Sequence, residues 1–275
     1  MFRMTQQNRT PLVVSYLAFD VVISVFANLS YFSFYFRNTM NFSLVLFYLI
    51  SVWALYLLDH YWDAKKKTFQ KSSRSIFYLQ NEILIQSIIV GSILIVGGLA
   101  ILSEWTFIKQ NFAFLFSFAI CLFLVVTNLS PVPKEFLVTF FYTWGILLPF
   151  PNSMQHITIV FIFFLHVFNN VLITYQMDRE WDKEQGTFTL NLWVSQKWMD
   201  RLVSIFLFLG LVILTFQYGF HTLDFEFFLG MALSYLWLLF VFYSSRSPSS
   251  KKTLSELSYL PMFVPQIIFF FSGLP

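Results

Sequence analysis

The amino-acid sequence predicts an all-α fold, a polytopic membrane bundle of nine transmembrane helices, from three observations. Of its 275 residues 57% are hydrophobic and only 11% charged, with 38 Phe, 13 Tyr and 8 Trp, far from the balance of soluble chains. Nine apolar runs approach the roughly 20 residues that carry a helix across a hydrocarbon core. Fifteen of the seventeen Lys and Arg fall on alternate connections between those runs, as expected when basic residues are retained on the cytoplasmic side.

The first run, 12–36, holds Asp20, exceeds a signal-peptide core and precedes no small-residue cleavage site, so a retained helix is expected. The second and third, 40–58 and 82–103, are uninterrupted. The fourth, 111–128, contains the lone Cys121, which can form no intrachain disulfide and is expected to pack as a small apolar residue. The fifth, 136–150, is short. The sixth to eighth cover 154–177, 202–219 and 226–244, and the ninth, 257–274, is interrupted by Pro261 and Pro265. These runs leave no room for a soluble domain, so residues 1–275 are expected to form one membrane-embedded unit. With the N-terminus inside, only Arg37 and Lys109 fall on the far side. The connections 59–81, 129–135, 178–201 and 245–256 are then cytoplasmic in a multi-pass protein of the cell membrane. The net charge of +3 is a topology signal that implies no nucleic-acid partner.

The two longest hydrophilic connections, 59–81 and 178–201, open with the same pattern, D-x-x-W-D: Asp59-His60-Tyr61-Trp62-Asp63 and Asp178-Arg179-Glu180-Trp181-Asp182. Residues four apart share a helix face, so helices continued past the membrane would stack Asp59 with Asp63 and Asp178 with Asp182. Extending the second stripe backwards by fours gives Thr174, Asn170 and His166, a polar ladder entering the bundle. Like charges at this spacing repel, and a bridging cation would relieve them. Paired hard oxygens without clustered His or Cys suit Mg²⁺ rather than Zn²⁺. The plain alternative for one block alone is a charged helix end followed by Lys65, Lys66 and Lys67 as topological anchors; two matching blocks on one side weigh against it.

On these residues the chain resembles the UbiA superfamily of intramembrane prenyltransferases, which has nine transmembrane helices and aspartate-rich motifs after helices two and six. Against the family's N-D-x-x-D-x-x-x-D, Asp63 falls on the middle Asp, Asp59 on the Asn, His60 on the first Asp and Lys67 on the last. The second motif matches along Asp178 to Leu190, including Gly186 and Thr187, although Tyr175 stands where many members have another Asp. Ser130-Pro131-Val132-Pro133-Lys134 echoes a segment with a phosphate-contacting Lys, followed by Gly145 and Pro149. The resemblance implies a Mg²⁺ cofactor held by Asp59, Asp63, Asp178 and Asp182, with Asp63, Asp178 and Asp182 as catalytic residues. Lys67, Lys134, Asn170 and Arg179 would contact the diphosphate of a polyprenyl donor, and a hydrophobic acceptor and membrane lipids would be the other partners. The degenerate first motif marks a divergent member, in which Lys67 is expected to replace one metal by direct charge.

Other polar residues carry weaker expectations. Asp20 within the first run is a functional candidate by cost alone, against the plainer reading of a hydrogen-bonded or protonated carboxyl. His166 is expected in an interhelical hydrogen bond. The segment 246–256 reads as a basic loop near lipid headgroups without a catalytic role. Two alternatives remain open: a non-catalytic protein of this fold that binds or carries a lipid or ion, and a secondary transporter, for which matched broken helices are not evident.

Overall fold

A computed structural model describes residues 15–65, 73–127, 129–186 and 188–272. Among these the chain is helical, without strands. The helices are α1 (Phe19–Tyr35), α2 (Phe42–Lys65), α3 (Ser73–Gln80), α4 (Glu82–Leu102), α5 (Trp105–Gln110), α6 (Phe112–Val126), α7 (Lys134–Leu147), α8 (Ile157–Gln185), α9 (Leu190–Trp193), α10 (Gln196–Gly219), α11 (Phe225–Tyr243), α12 (Pro248–Glu256) and α13 (Phe263–Ser272), with 3₁₀ turns at Pro151–Gln155 and Leu257–Met262.

Six segments are long and apolar enough to cross a membrane: Phe42–Lys65, Glu82–Leu102, Ile157–Glu180, Gln196–Gly219, Phe225–Tyr243 and Pro248–Ser272. Helices also form in the other three predicted runs, but α1 and α6 are shorter apolar helices and α7 has 14 residues. The architecture is thus an all-helical, multi-pass one with six segments of full spanning length among the described residues.

The apolar sequence explains the shape because nearly every helix can present a greasy face both to its neighbours and to lipid. Only α8 is wrapped, with 78% of its most apolar stretch buried against 11–39% for the other five spans. Around it pack α7, α10, α11 and α12, and its Phe163 and Leu172 join Phe32, Leu207 and Phe227 in the main core. A satellite core joins α2, α3 and α4 through Leu57, Tyr78 and Ile85. No residue of α6 is buried, which leaves that helix on the rim.

In an apolar bundle a buried donor without a partner costs several kcal/mol, so tyrosine and tryptophan tips seek main-chain oxygens on adjacent helices. Tyr235 Oη donates to the Ile162 carbonyl at 2.8 Å, Tyr31 Oη to Phe227 at 3.0 Å, and Trp237 Nε1 to Leu254 at 2.8 Å. Glycines admit two of these rings: a Cβ at Gly210 would lie 2.4 Å from the Tyr235 ring, and one at Gly230 would lie 2.7 Å from Tyr31.

The basic segment 246–256 differs from its expected loop. It forms α12, started by Ser247, whose Oγ accepts from the Ser250 amide at 3.4 Å, with Pro248 in the first turn. It packs against α8 and α1.

Candidate functional site

The acidic blocks keep the helical register that their spacing demands. Helix α2 runs past the first block to Lys65, so Asp59 and Asp63 share a face. Helix α8 runs past the second and stops at Gly186, whose φ of 64° suits a left-handed C-terminal cap. Asp178 and Asp182 therefore continue the stripe of His166, Asn170 and Thr174.

Lys134 stands where the two blocks meet. Its backbone amide donates to the Phe188 carbonyl at 3.0 Å, and its neighbour Glu135 accepts from the Leu190 and Asn191 amides at 2.9 and 3.1 Å. These contacts clamp the start of α7 onto the chain just beyond the second block. The Lys134 ammonium lies 4.0 Å from Asp59 Oδ1 and 5.5 Å from the centre of the Tyr175 ring. Asp59 foremost, then Tyr175, Asp63 and Asp182, hold its pKa well above the ordinary value against the opposing effect of burial. Carboxylates from both blocks thus act on one cation. Burial pushes the Asp182 carboxyl up to about 7; Lys134 and Lys252 oppose the shift, while Asp178 and Glu135 add to it. Its Oδ2 is buried with no hydrogen-bond partner among the described residues.

A second layer holds Asp178 and His60. Lys252 of α12 donates to Asp178 Oδ2, which brings the supposed basic loop into the site. Arg74 approaches His60 Nε2 at 3.0 Å, while His60 Nδ1 lies 3.3 Å from Tyr78 Oη, which donates to the Tyr16 carbonyl at 2.7 Å. An arginine has only donors to offer, so Nε2 accepts and Nδ1 carries the proton. His60 is therefore engaged on both nitrogens and has no lone pair free for a metal. Lys65 turns to another face, 2.5 Å from Glu82 on α4. Asp20 is buried at the start of α1, where its Oδ1 accepts from the Val21 amide at 3.1 Å, and the Glu256 carboxyl is close enough to act on it electrostatically.

Beneath the charged layer lies a cavity of about 30 Å³ whose lining includes Ser24, Tyr56, Tyr142, Asn170, Glu256 and Tyr259. That volume suits a water molecule or two. Asn170 serves the wall: its Nδ2 donates to the Ser255 carbonyl and to Ser258 Oγ, the latter at 3.1 Å. His166 packs edge-on against Tyr235 and Tyr259, 5.0 Å from each ring centre.

Of the expected site residues, Asp59 meets Lys134 and Asp178 meets Lys252, with Asp63 and Asp182 close enough to act on Lys134 through their charge. Asn170 sits deeper. Arg179 points elsewhere, donating to Gln196 Oε1 at 3.2 Å and to the Val194 carbonyl at 3.0 Å, because the residue next to Asp178 is turned about 100° around the helix. Lys67 lies outside the described residues, as do Lys66 and Thr187. Sequence reasoning missed Arg74, Lys252 and Glu256. In the sequence Arg74 reads as a topology marker and Lys252 as part of a basic loop near lipid headgroups, and nothing in their spacing pairs them with the acidic blocks.

Among the described residues no three or more His, Cys, Asp or Glu gather closely enough to form a metal cage. Mg²⁺ seldom has such a cage: it commonly takes one or two carboxylates and completes its shell with water and substrate phosphate. The unpartnered Oδ2 of Asp182, on a carboxyl acted on by Lys134 and Asp178, fits a cation that arrives with a diphosphate. Compared with known protein families, curated proteins and solved structures, the chain matches none.

Proposed function

We propose that this chain is an intramembrane prenyltransferase of UbiA type, moving a prenyl group from a polyprenyl diphosphate to a hydrophobic, aromatic or lipid-soluble acceptor with Mg²⁺ assistance. The observation that carries this reading is that carboxylates from two separate helices act on Lys134 at one end of an apolar bundle, Asp59 as its ion-pair partner and Asp63 and Asp182 through their charge. That end is taken to face the cytoplasm, from the distribution of basic residues. Lys134 and Lys252 would exchange their carboxylate partners for diphosphate oxygens, a charge-assisted contact of the same kind. Asp59, Asp63, Asp178 and Asp182 would hold Mg²⁺, which when bound would neutralise the charge that builds on the leaving group. The allylic C–O bond breaks with its electron pair on the diphosphate, and the acceptor forms the new bond and sheds a proton. Tyr56, Tyr142 and Tyr259 around the cavity offer ring faces to the developing positive charge and keep water away.

A second reading, a non-catalytic member of the same fold that binds or carries a lipid or ion, draws support from two features. Lys134 and Lys252 already neutralise aspartates of the site, and the cavity of about 30 Å³ is far below the roughly 300 Å³ of a small ligand pocket. Turnover therefore requires the helices around the cavity to part.

The deciding experiment incubates the purified protein with Mg²⁺, allylic diphosphates of several lengths and a membrane lipid extract, followed by mass spectrometry. The prenyltransferase reading expects a prenylated product that disappears with EDTA and in Asp63→Asn and Asp182→Asn. Diphosphate binding that persists in EDTA, without product, selects the second reading.

A further inference from the structure

A larger opening lies outside the acidic site, between α8, the start of α10 and the end of α11. It is a cleft of about 730 Å³ at the same end of the bundle, with Lys197, Arg201 and Lys251 among its lining residues and Asp200 as its only acid among the described residues. Asp200 accepts from Gln196 Nε2 at 3.0 Å, and among the described residues none of the three cations is in an ion pair. Arg201 stacks on Trp198, 4.8 Å from the ring centre, and Lys251 donates to the Phe242 carbonyl at 2.9 Å. Neither contact cancels a positive charge. The inner wall holds a polar group that wants a partner: Gln176 lines the cleft, is 8% exposed, and its Nε2 has no hydrogen bond among the described residues. The first turn of α10 follows Ser195, whose side chain makes no capping hydrogen bond. Amides at such a helix start favour an anion.

Apolar surface continues from this cationic pocket down the outside of α10, where Ile205 and Phe208 are 58% and 69% exposed. A soluble anion would use the pocket and leave that strip idle. An amphiphile with a phosphate at its head and hydrocarbon below it uses both.

We infer that this cleft binds the headgroup of an anionic glycerophospholipid, its phosphate held by Lys197, Arg201, Lys251 and the Gln176 amide, and its acyl chains laid along α10. The site is independent of the acidic cluster and does not rest on prenyl transfer.

Native mass spectrometry of the full chain in detergent, titrated with phosphatidylglycerol or phosphatidylcholine, tests this. Saturable retention of phosphatidylglycerol is expected, with each lost cation weakening it about fivefold. Arg201→Gln alone should show one such step, and Lys197→Gln, Arg201→Gln and Lys251→Gln together should reduce retention to the level of phosphatidylcholine. Neutralising Lys183→Gln, an exposed lysine outside the cleft, and Asp182→Asn, in the acidic site, should leave retention unchanged. Equal retention of the two lipids, or an Arg201→Gln protein that binds like the parent, overturns the inference. So does displacement of phosphatidylglycerol by millimolar inorganic phosphate or diphosphate, which would assign the cleft to a soluble anion. Loss of retention in Asp182→Asn would place the lipid at the acidic cluster and overturn it as well.

Discussion

Burial raises the Asp182 carboxyl from its ordinary 3.8 to about 7, so without metal the folded protein keeps a proton there that the unfolded chain releases. The stability this contributes is full below about pH 3.8 and is lost as pH rises to about 7. Asp182→Asn removes the titration, and its metal-free unfolding profile should be flatter across that window. Where Mg²⁺ must displace the same proton, diphosphate-dependent metal affinity should rise by up to about tenfold per pH unit below 7 and level off above it. Calorimetric titration at several pH values reads this directly, and an affinity flat with pH would remove Asp182 from the ligand set. Lys134 gives the opposite test. In Lys134→Ala the Asp59 carboxylate loses its ion-pair partner and Asp182 loses a nearby positive charge, and a cost of up to about 1 kcal/mol is expected for this partly exposed pair. Added Mg²⁺ should recover part of it in a thermal melt. The acidic half of this cluster was legible in the sequence because four-residue spacing on a helix fixes a face. Its basic half was not, since Arg74 and Lys252 reach the site from α3 and α12, and a positive-inside count treats every cytoplasmic lysine alike.

At the scale of elements, the apolar runs announced where helices would form, whereas their ends were set by capping and tertiary contact. Helix α8 outlasts its hydrophobic run by eight residues, from 177 to 185, because the charged turns rest on Lys134 and Lys252 until Gly186 stops them. Helix α12 escaped a hydropathy reading because its residues are polar. The Ser247-Pro248 start was the available local signal. Close packing is the other property hidden from hydropathy. Gly210 brings α10 against Tyr235, whose hydroxyl ties α11 to α8, so Gly210→Ala should displace the ring and break that hydrogen bond. Overpacking of this kind costs about 1–3 kcal/mol. Gly145, with open space where its Cβ would go, provides the comparison: Gly145→Ala in α7 should be neutral or stabilising by up to about 1 kcal/mol. Melting both variants in the same detergent checks the pair, and a Gly210→Ala protein as stable as Gly145→Ala would mean that α10 and α11 pack less closely than the structure has them.

For the whole molecule, the charges at the two ends decide whether one site can exist at all. One end joins Asp59, Asp178, Lys134 and Lys252 through ion pairs. The opposite end carries Arg37 paired with Glu226 at 3.4 Å, which holds the turn after α1 against the start of α11. Arg37 was also one of only two basic residues that the charge count put on the far side, so the sequence asymmetry and the helical geometry divide the chain alike. This division predicts a labelling pattern. In a Cys121→Ser background, cysteines at Ser73 and Glu184, both exposed and close to the acidic blocks, should react with an impermeant maleimide from the same side of sealed vesicles. A cysteine at Thr222, in the exposed turn between α10 and α11, should react from the other side. Ser73→Cys and Glu184→Cys labelled from opposite sides would separate the two blocks across the membrane and end any account in which they share a cation or a diphosphate. Labelling of both from the extracytoplasmic side would leave the shared site intact but reverse the bundle, so the donor diphosphate would have to be supplied from outside the cell.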